Sequence, residues 1–287
     1  MDSNKIFHVA KNEYIKWIHN PKLIILLVML IFAYDYVILE LTTASDKMGK
    51  ELQMLEGFIG ISNSQLLLMI IPIVFVGLMG DFPRISGNAM FYIYRVGKTN
   101  WLMGQILFAI MASITYLFAL LGFSMVSILG RGFLDNVWSD ITTRYYIFAP
   151  NEYASIVANL TTGRLYNNLL PLEAGFHILG LMFLFLLLIS MLLLVGFLCG
   201  VRTAGIVVAT GILCVGNVLA YMENNIRWFF PTTHAILEIH FDEIYKRSIM
   251  DMRLSYLYYI MILIILFVVA FIRVDKCDFS KIQELEE

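Results

Sequence analysis

The run Leu23-Ile-Ile-Leu-Leu-Val-Met-Leu-Ile-Phe-Ala-Tyr-Asp-Tyr-Val-Ile-Leu-Glu-Leu41 decides the fold class. A helix rising about 1.5 Å per residue needs roughly 20 apolar residues to cross a hydrocarbon core of about 30 Å, and this run has that length. In lipid every backbone polar group must be satisfied within the segment, so a continuous apolar stretch of this kind is a helix. Five more follow, over 61–80, 101–129, 174–200, 203–222 and 254–272. Of 20 basic and 22 acidic residues, only Asp35 and Glu40 fall inside the six.

The whole chain agrees. Its 287 residues are 60% hydrophobic and 15% charged, with a mean hydropathy of +0.78, whereas a soluble domain carries about 25% charged residues. Too little polar surface exists for a soluble fold, and too much apolar sequence for disorder. A net charge of −2 argues against nucleic acid, which selects a concentrated basic face. Cys199 and Cys214 lie in spans and Cys277 in the tail, with no CxxC pair, so neither a disulfide scaffold nor a zinc ribbon is supported. The first 21 residues lack the apolar core of a cleavable leader.

The expectation is therefore an all-α polytopic membrane protein, a single transmembrane domain over 1–287 with six spans and outer loops at 42–60, 130–173 and 223–253. Both termini fall on one side. The segments on that side hold 11 basic and 8 acidic residues, against 9 and 12 on the longer opposite segments. The excess of Lys and Arg density predicts cytoplasmic termini. Trp17, Trp101, Trp138 and Trp228 stand at span ends or flanks, where an indole keeps its ring apolar and its N–H wet.

Residues 4–20 place Ile6, Ala10, Tyr14, Trp17 and Ile18 at helical spacing, with lysines and histidines largely opposite. This reads as an amphipathic helix in the cytoplasmic interface, or as a plain basic segment beside the first span. The loop 81–100 is bounded by Pro83 and Gly97 and is rich in Phe82, Met90, Phe91, Tyr92, Ile93 and Tyr94. An apolar patch rimmed by charge marks a docking surface, with packing on the lipid surface as the alternative. Gly97-Lys98-Thr99 copies the end of a phosphate-binding loop, but Tyr92 stands where the first glycine belongs, so no nucleotide site is expected.

In the outer segment 223–253, Phe230-Pro231-Thr232-Thr233 reads as a helix start. His234, Glu238, Asp242 and Lys246 then make a polar stripe, with Asp242–Lys246 and Glu243–Arg247 as i,i+4 pairs. A solvated helix face is the expectation there rather than zinc, because His240 lies off the stripe. The part 155–170 of the preceding outer loop could hold a surface helix. Asp35 sits about 20 Å from Lys22 along its helix. A carboxylate that deep costs roughly 2.5–3.5 kcal/mol to insert. It lines a substrate path with Tyr34 and Tyr36, or it is neutralised within the bundle. Asn217 and His177 are further buried polar candidates, most simply helix–helix contacts, and Gly196 with Gly200 matches a weak G-x-x-x-G packing motif. No H-E-x-x-H and no G-x-S-x-G occurs, so the chain is read as no enzyme.

An amphipathic helix before the first span, six spans, and a helical loop between the second and third spans together resemble the permease subunits of ATP-binding-cassette exporters of the ABC-2 type. The stretch 81–105 carries the likeness: Asp81 ends the second span, Gly87 follows, and Arg95 precedes Trp101-Leu102-Met103-Gly104. Gln105 stands where that family usually has Lys or Arg, and Phe230-Pro231 resembles its outer proline segment. The loop 130–173 is longer than usual there. The resemblance implies a coupling helix at Asp81, Pro83, Arg84, Gly87 and Arg95, docked on separate cytoplasmic ATPase subunits that hold ATP and Mg. It also implies no cofactor in this chain, a second permease copy or homologue, and a multi-pass place in a bacterial cell membrane. The substrate expected is amphipathic (a peptide, lipid or drug), with Asp35, Tyr34, Tyr36 and Asn217 as path residues. Rival readings are a proton- or ion-coupled carrier using Asp35, and a non-transporting scaffold or sensor.

Overall fold

A computed structural model describes residues 2–84, 89–152, 160–222 and 224–277. The chain is mostly helical, with almost no strand. Helix α1 (Ser3–Ile18) is capped by Asp2, whose carboxylate accepts from the N–H groups of Asn4 and Lys5. The turn at Asn20 and Pro21 leads into α2 (Leu23–Met48), which ends at Gly49 with φ +62°, the left-handed position that glycine tolerates without a Cβ penalty. Then come α3 (Glu56–Asn63), α4 (Gln65–Met79), α5 (Ala89–Val96), α6 (Lys98–Ile128), α7 (Asp140–Phe148), α8 (Pro171–Leu198), α9 (Arg202–Ala220) and α10 (Met252–Lys276).

Among the described residues, five helices are long and apolar enough to cross a membrane: α2, α6, α8, α9 and α10. The sixth expected span, 61–80, is not one straight helix. Ser64 is extended (ψ 121°), and α3 and α4 meet there at a bend of 85°. The apolar run hid this break because its local mark is only the polar triplet Asn63-Ser64-Gln65. The first span also runs two turns further than its apolar stretch, to Met48, and includes one wide π turn at Tyr34–Ile38.

Helix α8 is the central strut, with 67% of its most apolar window buried, whereas α10 has 17% and α2 28%. The peripheral helices leave Leu27, Val28, Ile31, Ile264, Ile265 and Val268 exposed. Apolar surface on that scale belongs against lipid rather than water. Close approach of α8 and α9 is set by two glycines. A Cβ on Gly196 would stand 2.7 Å from the Cα of Gly205, while Gly200 takes φ +76° in the connecting turn. The two glycines of the G-x-x-x-G match thus have different jobs, one in packing and one in turning.

Helix α1 does not lie free of the bundle. It runs beside the first turns of α6: the Asp2 N–H donates to Asn100 (3.1 Å), and Tyr14 O–H donates to Thr115 (2.7 Å). Val9 is seated so closely on Gly104 that a Cβ there would meet its side chain at 2.5 Å. Phe7, Ile15 and Ile18 remain exposed on the outer face. At the opposite end, strands Leu52–Gln53 and Gly132–Phe133 pair in parallel, and buried Glu56 accepts from the Ser139 N–H and O–H, both at 2.7 Å.

Candidate functional site

A cavity of about 570 Å³ opens at the break between α3 and α4. Asn63, Ser64 and Gln65 form the break itself, Leu66 and Met69 continue along α4, Tyr36 comes from the wide turn of α2, Asn217 and Tyr221 from the end of α9, and Glu238 from the segment after it. At about 1.5 Å per residue, Asn217 lies roughly 22 Å along α9 from Arg202, past the middle of a hydrocarbon core of about 30 Å. A helix broken at membrane depth is tolerated where it lines a cavity, and such breaks recur at transport sites.

Glu238 reaches this place because residues 231–240 are not a solvated helix. They fold as one short helical turn, Pro231–Ala235, then a tight turn, Leu237–His240, and all ten are buried. The expected polar stripe is therefore corrected: His234 and Glu238 face inward, and helix ends before Asp242. The Asp242 carboxylate instead accepts from the N–H groups of Ile244 and Tyr245, so the i,i+4 pairs with Lys246 and Arg247 have no helix to form on. Spacing by four looked amphipathic because inward polar groups that are hydrogen-bonded repeat as regularly as solvated ones.

Burial pushes the Glu238 carboxyl up to about 7, against a weaker opposing hydrogen bond from Thr162, whose O–H donates to Oε2 at 3.2 Å. Beside it, His234 and His240 share Ser255 of α10. His234 donates from Nε2 to the Trp228 carbonyl and His240 from Nδ1 to the Ile236 carbonyl, because a carbonyl can only accept. The other nitrogen of each ring lies 2.8 Å from Ser255 Oγ. One hydroxyl proton serves one ring at a time, so satisfying both contacts calls for an added proton. Burial opposes that proton, holding His240 down to about 4 and lowering His234. For a ring as fully enclosed as His240 desolvation is the larger influence, so both rings are neutral at pH 7. The pair anchors the segment rather than holding a metal, and no metal-binding group of three or more His, Cys, Asp or Glu occurs among the described residues.

Of the sequence-derived path residues, Tyr36 and Asn217 line the cavity, and Asn217 Nδ2 donates to the Gln65 carbonyl at 3.5 Å. Asp35 and Tyr34 do not: both are exposed on α2, with Tyr34 edge-on to Phe123. His177 joins α8 to α10 through Tyr256 O–H (3.1 Å).

At the other end, Asp81 accepts from Lys22 Nζ at 2.6 Å and from Arg84 at 3.4 Å, and the Lys22 hydrogen bond holds its carboxyl below the usual range. Arg202 donates to the carbonyls of Asp81 and Pro83, and Arg84 to that of Lys16 at 3.3 Å. The chain leaving α4 is thereby tied to α1, α2 and α9. Gly87 lies outside the described residues. Arg95, Phe91 and Tyr94 are exposed on α5, while Ile93 and Val96 are buried. Lys98 of the phosphate-loop look-alike donates to the carbonyls of Asp275 and Cys277 at the end of α10, both at 3.0 Å.

Compared with protein-family models, with curated proteins and with solved structures, the chain finds no match. Glu238 and Asn63 were passed over in the sequence as sites: the first looked solvated, and the second sat inside an apparently continuous span. The one available signal was Asn63-Ser64-Gln65, three polar residues in an apolar run.

Proposed function

We propose that this chain is the membrane-spanning permease subunit of an ATP-driven exporter, with six spans when the bent α3–α4 pair counts as one. In this reading it sits in a bacterial cell membrane with cytoplasmic termini, pairs with a second permease copy or homologue, and has no nucleotide site of its own. The observation that carries it is α5: Phe91 (79% exposed) and Tyr94 (71% exposed) stand beside Arg95 on a helix whose other side is buried. Exposed aromatics next to a basic residue suit the groove of a separate ATPase subunit, which binds ATP and Mg. Motion of α5 would reach the spans through Asp81, Arg84 and Arg202, and the amphipathic substrate would occupy the cavity at the helix break.

The test is co-purification of the chain from its native membrane with an ATP-hydrolysing subunit. Phe91→Asp with Arg95→Glu is expected to release that subunit while the chain stays monodisperse. Arg84→Glu is a poorer probe, since Arg84 holds Asp81 and Lys16 internally. Retention of the ATPase by the double variant, or its absence from native preparations, sinks the proposal. A second reading, a proton-coupled carrier, is favoured by buried Glu238 beside a broken helix, and it would use Glu238 in place of Asp35. Nucleotide-independent flux driven by pH and abolished by Glu238→Gln would establish that reading instead.

A further inference from the structure

Asp35 stands where a carboxyl group is seldom left bare. Along α2 it lies about 20 Å from Lys22 and about 16 Å from Asp46. The ion pairs of those two residues, with Asp81 (2.6 Å) and Arg131 (3.2 Å), mark the ends of the apolar stretch. Asp35 is exposed on the outward face of the helix and makes no hydrogen bond or ion pair among the described residues. A charged side chain at such depth normally faces the bundle interior or a water-filled cavity and finds a polar partner there. Asp35 does neither within this chain, since it is Tyr36 that lines the cavity at the helix break. The face around it is otherwise apolar and regular. Ile24 (65% exposed), Val28 (62%) and Ile31 (66%) precede Asp35 at spacings of four, three and four, the 3.5-residue repeat of a left-handed helix pair. Tyr34 beside it is also exposed, and its hydroxyl has no partner among the described residues. The outward face of α10 differs: every exposed residue between Leu254 and Ile272 is apolar, a surface that lipid alone covers.

We infer that this face of α2 pairs with the same face of a second copy of the chain, Tyr34 of each copy donating its hydroxyl to Asp35 of the other. Two copies inserted the same way round are related by a two-fold axis along the membrane normal, so each residue meets groups at its own depth. Tyr34 and Asp35 are neighbours in sequence and offer one donor and one acceptor at one level. The patch is therefore its own complement, and Ile24, Val28 and Ile31 fill the rest of the seam. A polar group at one position of an apolar seam also fixes register and the number of chains. An unlike subunit with a lysine at that depth would meet Asp35 but would leave the Tyr34 hydroxyl unused. That the second copy is a permease subunit rests on the exporter reading; the pairing through α2 does not.

The experiment uses the full chain with Cys199, Cys214 and Cys277 replaced by alanine, and oxidises membranes carrying single-cysteine variants with copper phenanthroline. Val28→Cys and Ile31→Cys are expected to yield a disulfide-linked dimer of twice the chain mass, while Ile264→Cys on the outward face of α10 stays monomeric. Self-association is then measured by energy transfer between dye-labelled chains in phosphatidylcholine vesicles, diluted stepwise with lipid. Asp35→Leu and Tyr34→Phe are each expected to weaken it tenfold or more, whereas Asp35→Asn, which still accepts from Tyr34, stays within threefold of the native chain. Should a variant lose its monodisperse profile, the two cysteine cross-links decide alone. Failure of both Val28→Cys and Ile31→Cys to cross-link overturns the inference, as does unchanged self-association of well-folded Asp35→Leu. A cross-link from Ile31→Cys to a different polypeptide also overturns it, in favour of an unlike subunit. Pairing through α2 without an associated ATPase refutes the exporter reading and leaves the seam standing. An associated ATPase on chains that do not cross-link through α2 does the reverse.

Discussion

Replacing Glu238 and His240 separately by Gln is expected to expose two opposite pH dependences that mask each other in the native chain. The Glu238 carboxyl titrates at about 7 in the fold against 4.5 for a free carboxyl. Between those values the folded state holds a proton that the unfolded state has lost, so stability is full below pH 4.5 and falls as pH rises to 7. At about 1.4 kcal/mol per pH unit the loss is about 3 kcal/mol. His240 runs the other way, at about 4 in the fold against 6.5. Between those values the unfolded state takes up a proton that the fold refuses, so stability rises with pH, again by about 3 kcal/mol. The two intervals overlap from 4.5 to 6.5, where these two contributions cancel and leave the native chain with the rise from His234. Glu238→Gln leaves the rising limb alone, reinforced by His234, whose value is also lowered. His240→Gln leaves the falling limb, shallowed by His234. The assay is equilibrium unfolding of the purified chain in mild detergent, from pH 4 to 7.5. Tryptophan fluorescence reports it, because the Trp228 ring lies 5.3 Å from that of His240. Parallel pH profiles for the native chain and Glu238→Gln would refute the burial of this acid and with it the assignment of the cavity wall.

Three further outcomes are expected. Gly104→Ala forces a Cβ to 2.5 Å from Val9 Cβ and costs about 1–3 kcal/mol by overpacking; trypsin then cuts α1 at Lys11 or Lys16 faster. Unchanged cleavage in Gly104→Ala argues that α1 does not rest on α6. Ser139→Ala removes both the cap of α7 and one hydrogen bond to buried Glu56, lowering stability by about 1–2 kcal/mol in detergent unfolding. Tyr116→Phe loses the bond from its hydroxyl to the Ile71 carbonyl (2.7 Å), about 1 kcal/mol in the same assay, and an effect within error counts against that link between α6 and α4.

Much of the fold was open to a reader of the sequence because hydropathy is a local property. Each of α2, α6, α8, α9 and α10 announces itself by a long apolar run, with bounds off by a few residues except at Met48. The break at Ser64 did not, since the polar triplet Asn63-Ser64-Gln65 by itself fixes neither a bend nor its 85° angle. Asp35 shows a related limit: depth along a helix follows from counting residues, but which side of the helix meets a cavity depends on neighbours that counting does not supply. Tyr36 and Asn217 drew notice as polar groups in apolar runs, and both line the cavity. Glu238 did not, because a polar residue at helical spacing in a loop gives the same pattern whether it faces water or the interior.

The sequence by itself determined that the chain is helical and built for lipid, since a protein with this few charges cannot hide its apolar surface from water. It also marked α5 by its aromatic run. Only the tertiary structure decided that residues 231–240 turn inward, that Asn63 and Asn217 commit their N–H groups to backbone carbonyls, and that Glu238 joins them. Apart from the Asn63 bond to Ile59, which is local, those facts depend on contacts between segments about 20 to 150 residues apart, where hydrogen-bond direction and burial are set by packing rather than by any local pattern.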